Sequence, residues 1–116
     1  MDFYTKLKGT IMDKIIKEFR QLAIERWENL LGKNGTAKRA NHCFDRQCRI
    51  LDELKNQNKL SEFAELLKDP DDAVVSDVGA FLLKEHYEGA KEALEVIAKK
   101  RDLMGFNAEM CLQELS

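Results

Sequence analysis

Two histidines, three cysteines and 21 acidic residues are the chemically capable side chains of this 116-residue chain, and their spacing limits what they can do. His42-Cys43 followed by Cys48 has the residue types of a zinc or thiol site. On a helix, however, positions 43 and 48 point in different directions, and the paired-ligand spacing of zinc fingers is absent. His86 and Cys111 could join them only by converging through the tertiary fold. A cysteine nucleophile with His42 or His86 as base is no better supported, because the signatures that surround catalytic cysteines are missing. Buried thiols behave instead as small apolar side chains. The six glycines stand singly, so neither a dinucleotide fingerprint nor a phosphate-cradling loop is present. No pair of carboxylates lies in a context that would raise one pKa and leave the other normal. These residues predict a protein that is not an enzyme and holds no metal and no cofactor.

The carboxylates are distributed for recognition. From Met1 to Asn58 twelve Lys and Arg stand against eight Asp and Glu, a net of +4; from Lys59 to Ser116 seven stand against thirteen, a net of −6. One reading is two solvated sets of helix faces that differ in charge. The other is an acidic C-terminal surface offered to a basic partner, built from Asp71, Asp72, Asp77, Glu85, Glu88 and Glu92. A second candidate is the line Asn41, Asp45 and Arg49. Spaced by four, these share one helix face, where Asp45 and Arg49 can pair and Asn41 can bridge to a neighbour. Such a line either satisfies the polar groups of an adjacent helix or borders a groove that takes a ligand.

The elements that must position these residues read as helices. The apolar share of 44% and charged share of 34% are those of a globular chain, long enough for one domain with its own core. No run of 18 apolar residues is present, the N-terminus has no apolar signal region, and three cysteines without framework spacing suit a reducing compartment. The expectation is a cytoplasmic protein that does not enter a membrane. Met1 to Leu31 carries apolar residues at helical spacing, among them Ile15, Ile16, Phe19, Leu22, Ala23, Trp27 and Leu30. Gly9-Thr10 is a candidate break, with Thr10 capping a new turn and Asp13 at the capping-box position. Gly32-Lys33-Asn34-Gly35 is a turn.

Thr36 then caps a helix over Ala37–Asn56 with Ala37, Ala40, Phe44, Cys48, Leu51 and Leu54 inward. Leu60–Lys68 forms a short helix with Phe63, Leu66 and Leu67 inward. At Asp69-Pro70-Asp71-Asp72, Asp69 reads as N-cap and Pro70 as the first helical residue, with two carboxylates in the positive first turn. The helix that follows, Asp72–His86, buries Val74, Val75, Val78 and Phe81, and Gly79 permits close helix approach. Ala90–Lys100 turns Ala90, Ala93, Leu94, Ile97 and Ala98 inward. Gly105 introduces a last helix packed through Phe106, Ala108, Met110, Cys111, Leu112 and Leu115. With no strand-like alternation, the fold class is all-α: about six helices in stacked pairs, residues 36–115 being repeat-like and 1–31 an N-terminal helical segment of the same domain.

Three stretches carry a family resemblance: AKRANHCFDR from Ala37, LLKDPDDAVVSDVGAFLL from Leu66, and LMGFNAEMCLQEL from Leu103. Together they resemble a bacterial family of small HEAT-like helical-repeat domains over roughly Ala37 to Leu115. In that family an Arg usually follows the Val of the corner; here Ser76 and Asp77 follow Val74-Val75, which makes this face more acidic. The resemblance implies an α–α superhelix whose curved surface binds another molecule, usually a protein. Some small helical proteins of this type resemble immunity proteins that neutralise toxins passed between bacteria, as in contact-dependent growth inhibition. Many such toxins are nucleases with basic active sites suited to phosphates. An acidic inhibitor would cover such a site and associate quickly. The functional expectation is therefore a protein-binding module whose partner is a basic toxin domain. The alternatives are a HEAT-like nucleic-acid-binding or base-excision module and a homo-oligomeric scaffold. The nucleic-acid alternative requires Lys33, Lys38, Arg39, Arg46 and Arg49 to converge near a stacking aromatic such as Trp27.

Overall fold

A computed structural model describes residues 13–32 and 35–115, and in it the chain is all-α, with no strand among the described residues. Among the described residues six helices follow in order: α1 (Lys14–Leu31), α2 (Ala37–Asn56), α3 (Leu60–Phe63), then a 3₁₀ turn (Ala64–Lys68), α4 (Asp72–Lys84), α5 (Ala90–Ala98) and α6 (Leu103–Leu115). The chain divides into two compact units, Met1–Phe63 and Ala64–Ser116. The division falls inside the stretch read from sequence as one helix, at the point where α3 tightens into the 3₁₀ turn. The candidate break and cap at Gly9-Thr10 lie outside the described residues. No described helix is long and apolar enough to cross a membrane.

In the first unit, α1 starts at Asp13, whose carboxylate accepts the Ile15 N–H at 2.9 Å. Ile16, Phe19, Ala23 and Trp27, spaced by three and four, form its buried stripe, while Leu30 is exposed. Thr36 caps α2 by accepting the Arg39 N–H at 3.1 Å. Two cross-pairs, Glu18 with Arg46 and Glu25 with Arg39, are centred on Gly32, and a third, Asn29 with Thr36, lies half a residue from that centre. α1 and α2 are therefore an antiparallel hairpin. α3 brings Phe63 edge-on against Phe19, with ring centroids 4.7 Å apart, and both rings are fully buried. Such a pair contributes about 0.5–1.5 kcal/mol beyond its buried area.

The buried face of α2 differs from the expected one. Ala40, Leu51 and Leu54 are inward as expected, but Cys43, Gln47 and Ile50 complete the face, whereas Ala37 and Phe44 are exposed and Cys48 is half-buried. The fully buried Gln47 interrupts the apolar pattern, so the period in the sequence locks onto Phe44 and Cys48, about 100° around the helix.

In the second unit α4 is apolar on nearly every side, with Ala73 to Gly79 and Phe81 to Leu83 all buried. It packs on the 3₁₀ turn, α5 and α6. Its start corrects the expected corner: Asp71, not Asp69, is the N-cap, and the helix begins at Asp72. Two turns of the same kind follow one another, Asp69 accepting the Asp71 N–H and Asp71 accepting the Ala73 N–H, both at 2.9 Å. Pro70 lies between them, before the helix. At its other end the N–H of His86 donates to Leu83 O and that of Tyr87 to Leu82 O, with His86 at φ 56°. This is a Schellman closure with histidine in the position that glycine favours. Two further expectations shorten: α4 stops at Lys84 and α5 at Ala98. Gly105 lies inside α6, where its N–H donates to the Asp102 carboxylate at 2.8 Å.

Candidate protein-binding surface

The structure sorts the acidic residues singled out from sequence into three groups. Asp69 and Asp71 shape the corner through the hydrogen bonds just described. Asp72 pairs with Lys100 at 2.7 Å, and the bonded carboxylate raises the lysine pKa. Asp77 departs from its expected place on an acidic surface: at 4% exposure it is buried in α4, with Ser76 beside it at 1%. The reason lies in α4 itself, which is covered on all sides, so a carboxylate in its middle cannot reach solvent. Glu85 is half-buried at the C-terminal cap of α4.

Glu88 and Glu92 are exposed, and Glu95, not singled out from sequence, joins them. The inward residues of α5 are Ala90, Leu94 and Ile97, so Glu92, Glu95 and the strongly exposed Val96 project from the opposite side. Glu88 stands in the turn that precedes the helix, where Gly89 caps with φ 93°, a conformation glycine adopts without strain. This acidic side with one apolar residue is what remains of the expected surface. The α5 periodicity was sufficient to place Glu95 and Val96 there.

Asn41, Asp45 and Arg49 are all exposed on α2. Asn41 and Asp45 border a shallow hollow together with Thr36, Lys38, Arg39 and His42; Arg49 lies beyond it. Two of the cations required for nucleic-acid binding are engaged in ion pairs with α1. Arg46 grips Glu18 through two hydrogen bonds of 2.7 and 2.9 Å, and Arg39 meets Glu25 at 2.6 Å. The bond from Arg46 lowers the Glu18 pKa, and Glu18 raises that of Arg46. Trp27 is only 3% exposed and lies under the Arg26 guanidinium, 5.2 Å from the ring centroid. It offers no open face for a base. Lys33 lies outside the described residues.

The cysteines are free thiols, Cys43 buried and Cys48 and Cys111 half-buried. Among the described residues no three His, Cys, Asp or Glu side chains gather as a metal site would require. The last helix also departs from expectation. Ala108 is buried, but Phe106 and Met110 are exposed, because the inward side of α6 is narrow and is occupied by Gly105 and Ala108. No family model, curated protein or solved structure matches the chain.

Proposed function

We propose that this chain is a non-enzymatic, HEAT-like protein-binding module, and that it acts as an immunity protein by covering the basic active site of a bacterial nuclease toxin. The observation that carries the reading is the outer side of α5, where Glu92, Glu95 and Val96 are all exposed, with the exposed Glu88 in the turn before the helix. An apolar centre with a charged rim is the usual build of a protein-recognition patch. The carboxylates on this side, in a C-terminal unit of net negative charge, accelerate association with a basic site and disfavour nucleic acid itself. The likeness of three segments to small bacterial HEAT-like domains supports the same class of function.

The test begins with capture of a partner on the tagged chain and ends with reconstitution from purified proteins. The chain should inhibit the partner's nuclease activity at equimolar concentration. The triple reversal Glu88→Lys/Glu92→Lys/Glu95→Lys should weaken binding at least about tenfold, while the thermal midpoint stays within about 3 °C, as for exposed positions generally. Unchanged affinity would remove this surface from the interface. A captured partner without nuclease activity would remove the toxin assignment and leave protein binding standing.

A further inference from the structure

The outer face of α6 is apolar although it points away from the core. Leu103, Phe106 and Met110 are 48%, 61% and 40% exposed. At 100° per residue they fall within about 60° of one another, whereas the inward Gly105 and Ala108 lie on the opposite side. Their spacing of three then four is that of the a and d positions of a helix–helix seam, carried over about two turns. The two ends of this stripe bear opposite charge. Lys99 and Arg101 are exposed at its N-terminal end, where Asp102 is held by the Gly105 N–H and Glu109 borders the same hollow, while Glu114 is exposed at its C-terminal end on the same face as Leu103.

From this we infer that two copies of the chain pair through antiparallel α6 helices. A stripe with a cationic start and an anionic finish is complementary to itself when one copy is turned end for end. In that arrangement Leu103 faces Met110 of the second copy, Phe106 lies near the twofold axis beside its counterpart, and the Lys99–Arg101 end of each copy meets Glu114 of the other. The pairing brings together two units of net −6, a repulsion that salt screens. A seam on a helix roughly 20 Å long is smaller than a standard interface, so the dimer is a weak and reversible one. The inference uses a different helix from the toxin-binding surface and stands or falls independently of it.

Sedimentation equilibrium of the full chain under reducing conditions, from about 5 µM to about 1 mM, tests it. The expected result is a monomer–dimer equilibrium with Kd on the order of 10–100 µM, about 5.5–7 kcal/mol of association. Phe106→Glu should raise Kd about 30-fold or more, the loss expected for a central aromatic anchor. Arg101→Glu and Glu114→Arg should each raise it several-fold, and the two together should restore it to within about twofold, because each pair recurs across the twofold axis. All these side chains point away from the core, so circular dichroism and the thermal midpoint should match the wild type in every variant. A chain that stays monomeric throughout the range overturns the inference. So does a dimer indifferent to Phe106→Glu, a pair of reversals whose losses add, or a monomer that instead binds anionic vesicles through the same face.

Discussion

Asp13 illustrates how much one residue can do at a helix start. One carboxylate oxygen caps α1, and the other meets Lys59 at 2.5 Å, tying the beginning of α1 to the chain just before α3. The lysine bond holds the Asp13 carboxyl below its ordinary value of 3.8, and the arginine bond does the same for Glu18 below 4.5. A folded-state pKa below the unfolded one gives stability that is fully present above the unfolded value and is lost as pH falls through the folded value. The thermal midpoint of the wild type should therefore decline between about pH 5 and pH 3 more steeply than that of Asp13→Asn. The variant keeps an amide oxygen for the cap, so it should be less stable than wild type at pH 7 and converge with it in acid. Parallel melting curves across that range would show that the ion pair contributes nothing. Ser76 makes the opposite point. Its hydroxyl is buried and finds no hydrogen-bond partner among the described residues. Ser76→Ala should thus leave stability unchanged or raise it by up to about 1 kcal/mol in denaturant titration. A clear loss would mean that the hydroxyl is held.

At the scale of elements, the helix ends and one close approach govern the second unit. A Cβ on Gly79 would lie 3.0 Å from the Leu94 side chain, tighter than most packed contacts, so Leu94 would have to give by a few tenths of an ångström. Gly79→Val should destabilise by roughly 2–3 kcal/mol through overpacking, and Gly79→Ala by less, since Leu94 can turn and alanine favours the helix. His86 holds a left-handed φ without being glycine. His86→Gly should accordingly stabilise by about 0.5–1 kcal/mol, read as a rise in the thermal midpoint. Helix existence and most boundaries were legible in the sequence because Thr36, Gly32 and the Asp-Pro-Asp corner are local signals. The phase of α2 and the fate of Asp77 were not. Both hinge on a polar residue, Gln47 or Asp77, that tertiary packing covers, and nothing in the local pattern separates a covered polar side chain from a solvated one. Phe44 shows the converse, an aromatic ring left outside with the Arg26 guanidinium 5.7 Å from its centroid. Of the binding candidates, Glu88 and Glu92 were legible because α5 has a clean inward stripe. The apolar back of α6 was not, because a helix apolar on two sides reads as one that is simply buried.

For the whole molecule, the segregation of charge follows the division into units. Met1–Phe63 holds thirteen basic and nine acidic residues, a net of +4, and Ala64–Ser116 holds six and twelve, a net of −6. A basic partner is thus drawn to one unit and repelled by the other, and the long-range field orients the encounter before any contact forms. Salt acts on that field and much less on the contacts made afterwards: the screening length shrinks from about 10 Å at 0.1 M to about 3 Å at 1 M. For the partner proposed here, the association rate constant should fall about tenfold or more between 0.05 and 0.5 M NaCl, while the dissociation rate changes by less than about threefold. Reversal of Glu88, Glu92 and Glu95 should flatten this dependence as well as weaken binding, whereas Phe106→Glu on α6 should leave the slope unaltered. Stopped-flow or surface-based kinetics on the purified pair would measure both. An association rate indifferent to salt, but lowered by Phe106→Glu, would move the partner's contact from the acidic side of α5 to the apolar back of α6.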